Sequence, residues 1–307
     1  MLMGGKVRQL QDVVREIPGR GAEIALGGFA ITRCPVAFVN ELIRQGKKEL
    51  ILYETIGGFT ADLLVGAGAV KRYSYGGGSL DKFGQLRRVN EGIENGTLDV
   101  REYTALSINL RFLAGSLGIP YVPSKTLLGT DILANLLGKD SEAVMVKESP
   151  FDGEQYVYYR SLQPEYAVIH APCADAKGNV VIYGPTWDEE LAKAAKKLIV
   201  TVDKVVSTEF IRQHPEMVVI PSLYTYAVCE VPYGAYPTSV YKAYDYDADV
   251  LSAYGRLNHE QSEFNKWLQE YVLGTKDHNE FLLKLAGMEK LAALRADPVF
   301  GYAKGAQ

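Results

Sequence analysis

Apolar residues in the first third of the chain fall alternately into short continuous runs and into stretches of helical period. A helical pattern from Val7 to Glu16 is followed by a strand from Glu23 to Leu26, a helix from Val36 to Gln45 and a strand from Glu49 to Tyr53. Next come a helix around Ala61 to Ala67, a strand from Val70 to Tyr75 and a helix from Gln85 to Asn95, where Asn95-Gly96 reads as a C-terminal stop. The apolar stretch Asn109 to Leu117 is helical and ends at Gly118-Ile119-Pro120. Repeated βα units of this length predict an α/β fold with an open, mainly parallel sheet and helices on both faces.

From Ser124 to about Pro164 the pattern turns hairpin-like, with strands predicted at Glu142 to Lys147 and Gln155 to Arg160 around Asp152-Gly153. This reads as an antiparallel insertion, about 124–165. Parallel patterning resumes at Tyr166 to His170, followed by a hairpin at Asp175 to Asn179 and a strand from Val180 to Tyr183. A helix from Asp188 to Leu198, a strand from Ile199 to Val202 and a short helix from Val205 to Arg212 are expected next. The Pro-, Gly- and Tyr-rich stretch from Pro221 to Tyr246 is too aromatic for a solvated linker and reads as a segment wrapping the sheet edge or a partner. A helical tail, about 248–307, completes a chain with no composition break, so 1–307 reads as a single α/β domain.

Composition narrows the chemistry. With 33 basic and 37 acidic residues the formal charge is −4, which argues against a broad grip on nucleic acid. Cys34, Cys173 and Cys229 are too few and too scattered for a disulfide framework or a metal knuckle, and no His/Cys spacing completes a metal site. His170 reads as a hydrogen-bonded core or hairpin residue. The first residues lead into a polar amphipathic segment, and no run approaches the ~20 apolar residues of a membrane span. A soluble cytoplasmic protein with no membrane contact is the expectation. Gly66-Ala-Gly68 lacks the rest of a dinucleotide fingerprint, and no Walker sequence is present.

One junction stands out. The run Ile24 to Leu26 breaks into Gly27-Gly28-Phe29, then Arg33 and Pro35, a strand–glycine–helix arrangement of the kind that α/β proteins place against ligands. Paired glycines let the backbone turn sharply and bring bare N–H groups close to a ligand.

The residues Gly27, Gly28, Phe29, Arg33 and Pro35 resemble the N-terminal signature of family I CoA-transferases, and Arg33 is similar to the glutaconate CoA-transferase alpha-subunit branch. Asn95 to Pro123, Ala167 to Asn179, Pro232 to Pro237 and Lys276-Asp277-His278 resemble further blocks of that family, in order. Arg20 and Tyr236 depart from it. The resemblance implies an enzyme moving CoA between carboxylates, with a coenzyme A thioester as substrate and no permanently bound cofactor. It places the nucleophilic glutamate on a homologous beta subunit, in a heterotetramer, and gives Gly27, Gly28, Phe29 and Arg33 to the substrate loop. Arg33 then either grips the distal carboxylate of a dicarboxylic acyl group or makes a salt bridge that orders the loop or the subunit seam.

Two glutamates of this chain are catalytic candidates. Glu54 follows a strand and precedes Gly57-Gly58, a placement similar to that of the beta-chain nucleophile. Glu102, in Arg101-Glu102-Tyr103, resembles a glutamate of the alpha chains of steroid-ring-opening CoA hydrolases, which share the scaffold. Ser79 is a candidate donor to a substrate carboxylate. Alternatives to transfer are a CoA-dependent hydrolase or decarboxylase of a carboxylated acyl-CoA, and a ligand sensor on a similar fold.

Overall fold

The computed structural model of the chain describes residues 5–297 and 299–303. The first four residues of the expected domain and the last four of the expected tail lie outside the described residues.

The strands are β1 (Glu23–Leu26), β2 (Leu50–Glu54), β3 (Val70–Tyr75), β4 (Asp99–Glu102), β5 (Tyr121–Ser124), β6 (Val144–Glu148), β7 (Gln155–Arg160), β8 (Tyr166–Asp175), β9 (Val180–Val181), β10 (Lys197–Val206), β11 (Val218–Ile220) and β12 (Thr225–Glu230). Seven of them run parallel in the order β12-β10-β8-β1-β2-β3-β4. Beyond the end of β1, the long strand β8 pairs antiparallel with β9, and β9 with β11. The small antiparallel sheet β5-β7-β6 is the expected insertion, entered one strand early because Tyr121–Ser124 pairs with β7.

The period-two alternation of the strands divides the core. Ile24, Leu26, Leu50, Leu52 and Val168 face the helices Leu10–Arg15, Val36–Arg44 and Phe59–Gly66, together with the tail. Ala25, Ala167, Ile169, Val200 and Val202 face the helix Ala105–Leu117 and the small sheet. Each side chain buried this way contributes roughly 1.5–3 kcal/mol for a Val, Leu or Ile. The helix Val36–Arg44 is buried almost all round because the tail covers its outer face, where Arg44 Nε donates to the carbonyls of Val272 and Thr275 at 2.9 Å.

Several expectations needed correction. Val7 is not helical: it bridges to Val228, with Arg8 N–H donating to the Val228 carbonyl at 2.8 Å, so the helix begins at Leu10. The helix at Asp188 ends at Ala194, and β10 runs through Val206, absorbing residues assigned to the helices on either side. The tyrosine-rich stretch hides the edge strand β12, whose side chains alternate across a sheet edge. No helix among the described residues is long and apolar enough to cross a membrane.

Candidate active site

The loops following β1, β2, β3 and β4 all emerge at the carboxyl edge of the parallel sheet, where α/β folds collect ligands. At the end of β1, Gly27 packs where a Cβ would lie 2.7 Å from Ile169 Cγ2 and 2.8 Å from Asp188 Oδ1. Gly28 has φ +98°, a left-handed conformation that glycine adopts without penalty. Its N–H donates to Asp188 Oδ1 at 2.9 Å, and that of Gly27 donates to the Val168 carbonyl at 2.8 Å. The glycine amides are therefore occupied within the protein, which corrects the expectation that they point at a ligand.

The amides without a partner are one turn further on, on the buried residues Ala30 and Ile31. Phe29 and Thr32 exchange two backbone hydrogen bonds of 2.8 Å, closing a two-residue turn with Ala30 at φ +51°. At its crown the amides of Ala30 and Ile31 donate to no other group among the described residues. Sequence reasoning missed them, since nothing in Ala-Ile announces a turn.

Arg33 is buried. Its Nη2 donates to Thr186 Oγ1 at 2.9 Å, and its Nε lies 3.6 Å from Asp188 Oδ2, an ion pair just beyond hydrogen-bond reach. The loop-ordering salt bridge thus exists, and Asp188 is the residue that sequence reasoning passed over as part of a helix start. Arg33 and Thr32 also line two cavities, of about 590 and 500 Å3. The larger is bounded by Ile31, Asp81 and Ser239, the smaller by Phe29, Thr186 and Glu190.

Ser79 belongs to the loop after β3, held to the β2 loop by a bridge between Gly57 and Gly78. Its Oγ accepts from the N–H of Asp81, a wall of the larger cavity, at 3.1 Å. Glu102 ends β4, three strand spacings from β1, or roughly 14 Å across the sheet. Its side chain is exposed and makes no ion pair or hydrogen bond among the described residues, Arg101 pairing with Asp99 and Arg33 with Asp188.

Glu54 sits beside β1 but beneath the surface, 2% exposed. Tyr73 Oη donates to it at 2.5 Å and Thr60 Oγ1 at 3.4 Å. Burial pushes its carboxyl up to about 8, with those two hydrogen bonds working the other way. A sealed, neutral carboxyl does not suit attack on a thioester, so the expectation of Glu54 as a nucleophile meets a physical obstacle in this chain. What it does is underpin the glycine loop: a Cβ on Gly57 would lie 2.1 Å from Tyr73 Oη and 3.2 Å from Glu54 Oε2.

A test follows from the pH dependence. The folded-state value of Glu54 lies above that of an unfolded glutamate, so its contribution is fully present at low pH and is lost as pH rises from about 4.5 through 8. Glu54→Gln keeps an acceptor for Tyr73 and abolishes the ionisation. The variant is expected to lose less stability than the parent between pH 5 and 8.5 in thermal melts. Parallel curves would mean that Glu54 does not titrate there.

The other sequence blocks serve the scaffold. Asp277 caps the helix His278–Leu285 through the Glu280 N–H at 2.9 Å. His278 Nε2 donates to the Tyr233 carbonyl at 3.0 Å, tying that block to Pro232–Pro237. Burial depresses His278 to about 3, so it stays neutral. Tyr236, the departure from the resembled pattern, is buried with its hydroxyl donating to Asp247 Oδ2 at 2.8 Å, and Arg20 pairs with Glu49 at the opposite, amino edge of the sheet. His170 is a buried core residue with Nδ1 2.9 Å from Thr201 Oγ1, as expected. No cluster of metal-binding side chains occurs among the described residues.

Comparison with known proteins decides the family, since residues 8–230 match the model for Coenzyme A transferase. The chain belongs to the coenzyme A transferase family. Among curated members, this coenzyme A transferase chain is 34% identical over 311 residues to the A subunit of glutaconate CoA-transferase from Acidaminococcus fermentans, covering 97% of each. It is 33% identical over 281 residues to the A subunit of 3-oxoadipate CoA-transferase from Pseudomonas knackmussii, covering 90% of this chain and 97% of that one. The crystal structure of the Acidaminococcus fermentans glutaconate enzyme superposes with a TM-score of 0.91 at 33% identity, over 97% of this chain and 98% of that one. A more distant relative is the cholesterol ring-cleaving hydrolase IpdA subunit of Mycobacterium tuberculosis, 26% identical over 286 residues, 89% of this chain and 95% of that one.

Proposed function

We propose that this chain is the alpha subunit of a heteromeric CoA-transferase that moves CoA between carboxylic acids, taking a dicarboxylic acyl-CoA thioester as substrate. The observation that carries this reading is the side chain of Arg33, held by Thr186 and Asp188 and lining both cavities at the carboxyl edge of the sheet. The full-length similarity to the A subunit of the glutaconate enzyme supports both the dicarboxylic class and a homologous beta partner. Three buried, unpaired cysteines support a reducing, cytoplasmic setting.

In the proposed reaction, a glutamate of the partner attacks the thioester carbonyl and expels CoA thiolate, leaving an acyl-glutamyl anhydride. The thiolate then attacks the glutamyl carbonyl, releasing the acyl group as its carboxylate and forming a glutamyl-CoA thioester, and the acceptor carboxylate reverses the steps. A carboxylate is a weak nucleophile, so the developing oxyanion needs fixed donors. The unpaired amides of Ala30 and Ile31 take that part here, in place of those of Gly27 and Gly28. Arg33 presents its remaining guanidinium edge to the distal carboxylate, Phe29 flanks it, and the Ser79 hydroxyl has its proton free to donate. Glu54 supports the loop from below.

The test is Arg33→Lys, which keeps a cation opposite Asp188 but loses the planar fork. KM for a dicarboxylic acyl-CoA is expected to rise about tenfold while a monocarboxylic one is unaffected. Equal losses on both substrates would remove the role.

A second reading has an observation of its own. Glu102 is an exposed carboxylate without a partner among the described residues at a strand end, as a base acting on water would need, and the ring-cleaving hydrolase is a relative. In that case the scaffold hydrolyses a carboxylated acyl-CoA, with Glu102 as base and no covalent intermediate on the partner.

A further inference from the structure

Past the carboxyl ends of β8 and β10 lies another cavity, of about 980 Å3, which shares Tyr183 and Tyr244 with the 590 Å3 cavity of the site above. Its lining combines three kinds of group. Lys204, Lys242 and Arg295 are exposed cations, and none makes an ion pair among the described residues. The Lys242 ammonium instead lies 5.3 Å from the ring centre of Tyr183. Tyr183, Tyr233 and Phe210 supply aromatic surface. Deeper in, the Asp203 side chain is 15% exposed, and both of its oxygens are buried without a well-formed hydrogen bond. His170 Nε2 approaches Asp203 Oδ1 to 3.4 Å without closing one. The buried Tyr244 hydroxyl also approaches Asp203, and burial, the Asp203 charge and a loose hydrogen bond to it together raise that phenol.

A carboxylate has about four acceptor positions, so these two neighbours leave room for a further donor. A buried carboxylate oxygen left without one is costly, and natural proteins seldom leave it so. A ligand donor would complete the set. Three unpaired cations around the same space select an anion, and the aromatic walls select a flat ring. A simple carboxylate or phosphate would use the cations and leave Asp203 unsatisfied. A volume near 1,000 Å3 is at the upper end of that of small-molecule sites and holds a nucleotide.

We propose that this cavity binds an adenine nucleotide, with the exocyclic amino group donating to Asp203, the ring against the tyrosines and the phosphates on Lys204, Lys242 and Arg295. Two sources carry this chemistry: the nucleotide end of a coenzyme A thioester, or a free adenine nucleotide. The proposal does not depend on whether the enzyme transfers or hydrolyses.

Isothermal titration of the purified protein, in complex with the subunit that copurifies with it, tests the proposal with ADP and IDP as probes. ADP is expected to bind, and IDP, which offers a carbonyl where ADP has the amino group, to bind about tenfold more weakly or worse. Asp203→Asn should erase that preference, and Lys242→Glu with Arg295→Glu, both exposed positions, should weaken ADP at least about tenfold by putting like charge against phosphate. Saturating CoA distinguishes the sources: one-for-one displacement of ADP identifies the thioester's own nucleotide, and simultaneous binding identifies a free one. No heat with ADP, or ADP affinity untouched by all three substitutions, overturns the proposal.

Discussion

Asp188→Ala is expected to destabilise the protein by about 3–5 kcal/mol, the cost of leaving a buried cation without its partner. Asp188 Oδ1 accepts the Gly28 N–H at 2.9 Å, and Oδ2 faces Arg33 Nε at 3.6 Å, with both side chains at most 7% exposed. The substitution therefore leaves a guanidinium buried and uncompensated and an amide without an acceptor in the same loop. Activity should fall with stability, because the turn carrying Ala30 and Ile31 hangs from that point. Asp188→Asn, which retains an acceptor for Gly28, should be milder on stability. Denaturant midpoints with unchanged m values measure the effect, and a loss below about 1 kcal/mol for the alanine variant would show that the pair contributes little.

Among the described glycines, Gly58→Ala should be the most damaging alanine substitution. A Cβ there would lie 1.9 Å from the Ala30 carbonyl oxygen and 2.7 Å from its carbon. Gly58 has φ −149°, which any residue adopts, so the conflict is steric and not conformational. Both neighbouring atoms are backbone, and no rotamer change relieves them. The turn at residues 29–32 must move, costing about 1–3 kcal/mol in stability and, through a shift near 1 Å at the reacting groups, about a hundredfold in kcat/KM. Gly19→Ala, where a Cβ meets nothing within 4 Å, is the neutral control. Equal activity of the two variants would mean that the contact between the loops after β1 and β2 is not needed for catalysis.

The parallel framework was legible because its signals are local. The strand from Glu23 to Leu26, the glycines after it and the helix at Val36 each lie within a few residues of the groups that determine them. The failures share the opposite property. Val7 has the spacing of a helix and joins β12 through Val228, 221 positions away in the chain, so no window could have seen it. β12 itself alternates correctly, but Pro221 and the surrounding tyrosines imitate a coil.

The site followed the same rule. Arg33 was visible as a charge in a ligand-type loop, and it lines two cavities at the sheet edge. Asp188, 160 residues from Gly28, looked like an ordinary acidic helix start. Glu54 looked like a strand-end nucleophile because sequence does not report that Tyr73 closes over it. The glycine amides looked free because the acceptors that occupy them, Val168 and Asp188, come from distant strands and loops.

The central proposal is that this chain builds half of a catalytic centre and that the nucleophile comes from another polypeptide. The measurement that bears on it most directly is borohydride reduction of the complex during incubation with an acyl-CoA, followed by mass spectrometric location of the reduced glutamate. Transfer through a split site predicts one modified glutamate, on the partner subunit, and none at Glu54 or Glu102. A modified glutamate in this chain, or full transfer activity from this chain purified alone, would contradict it.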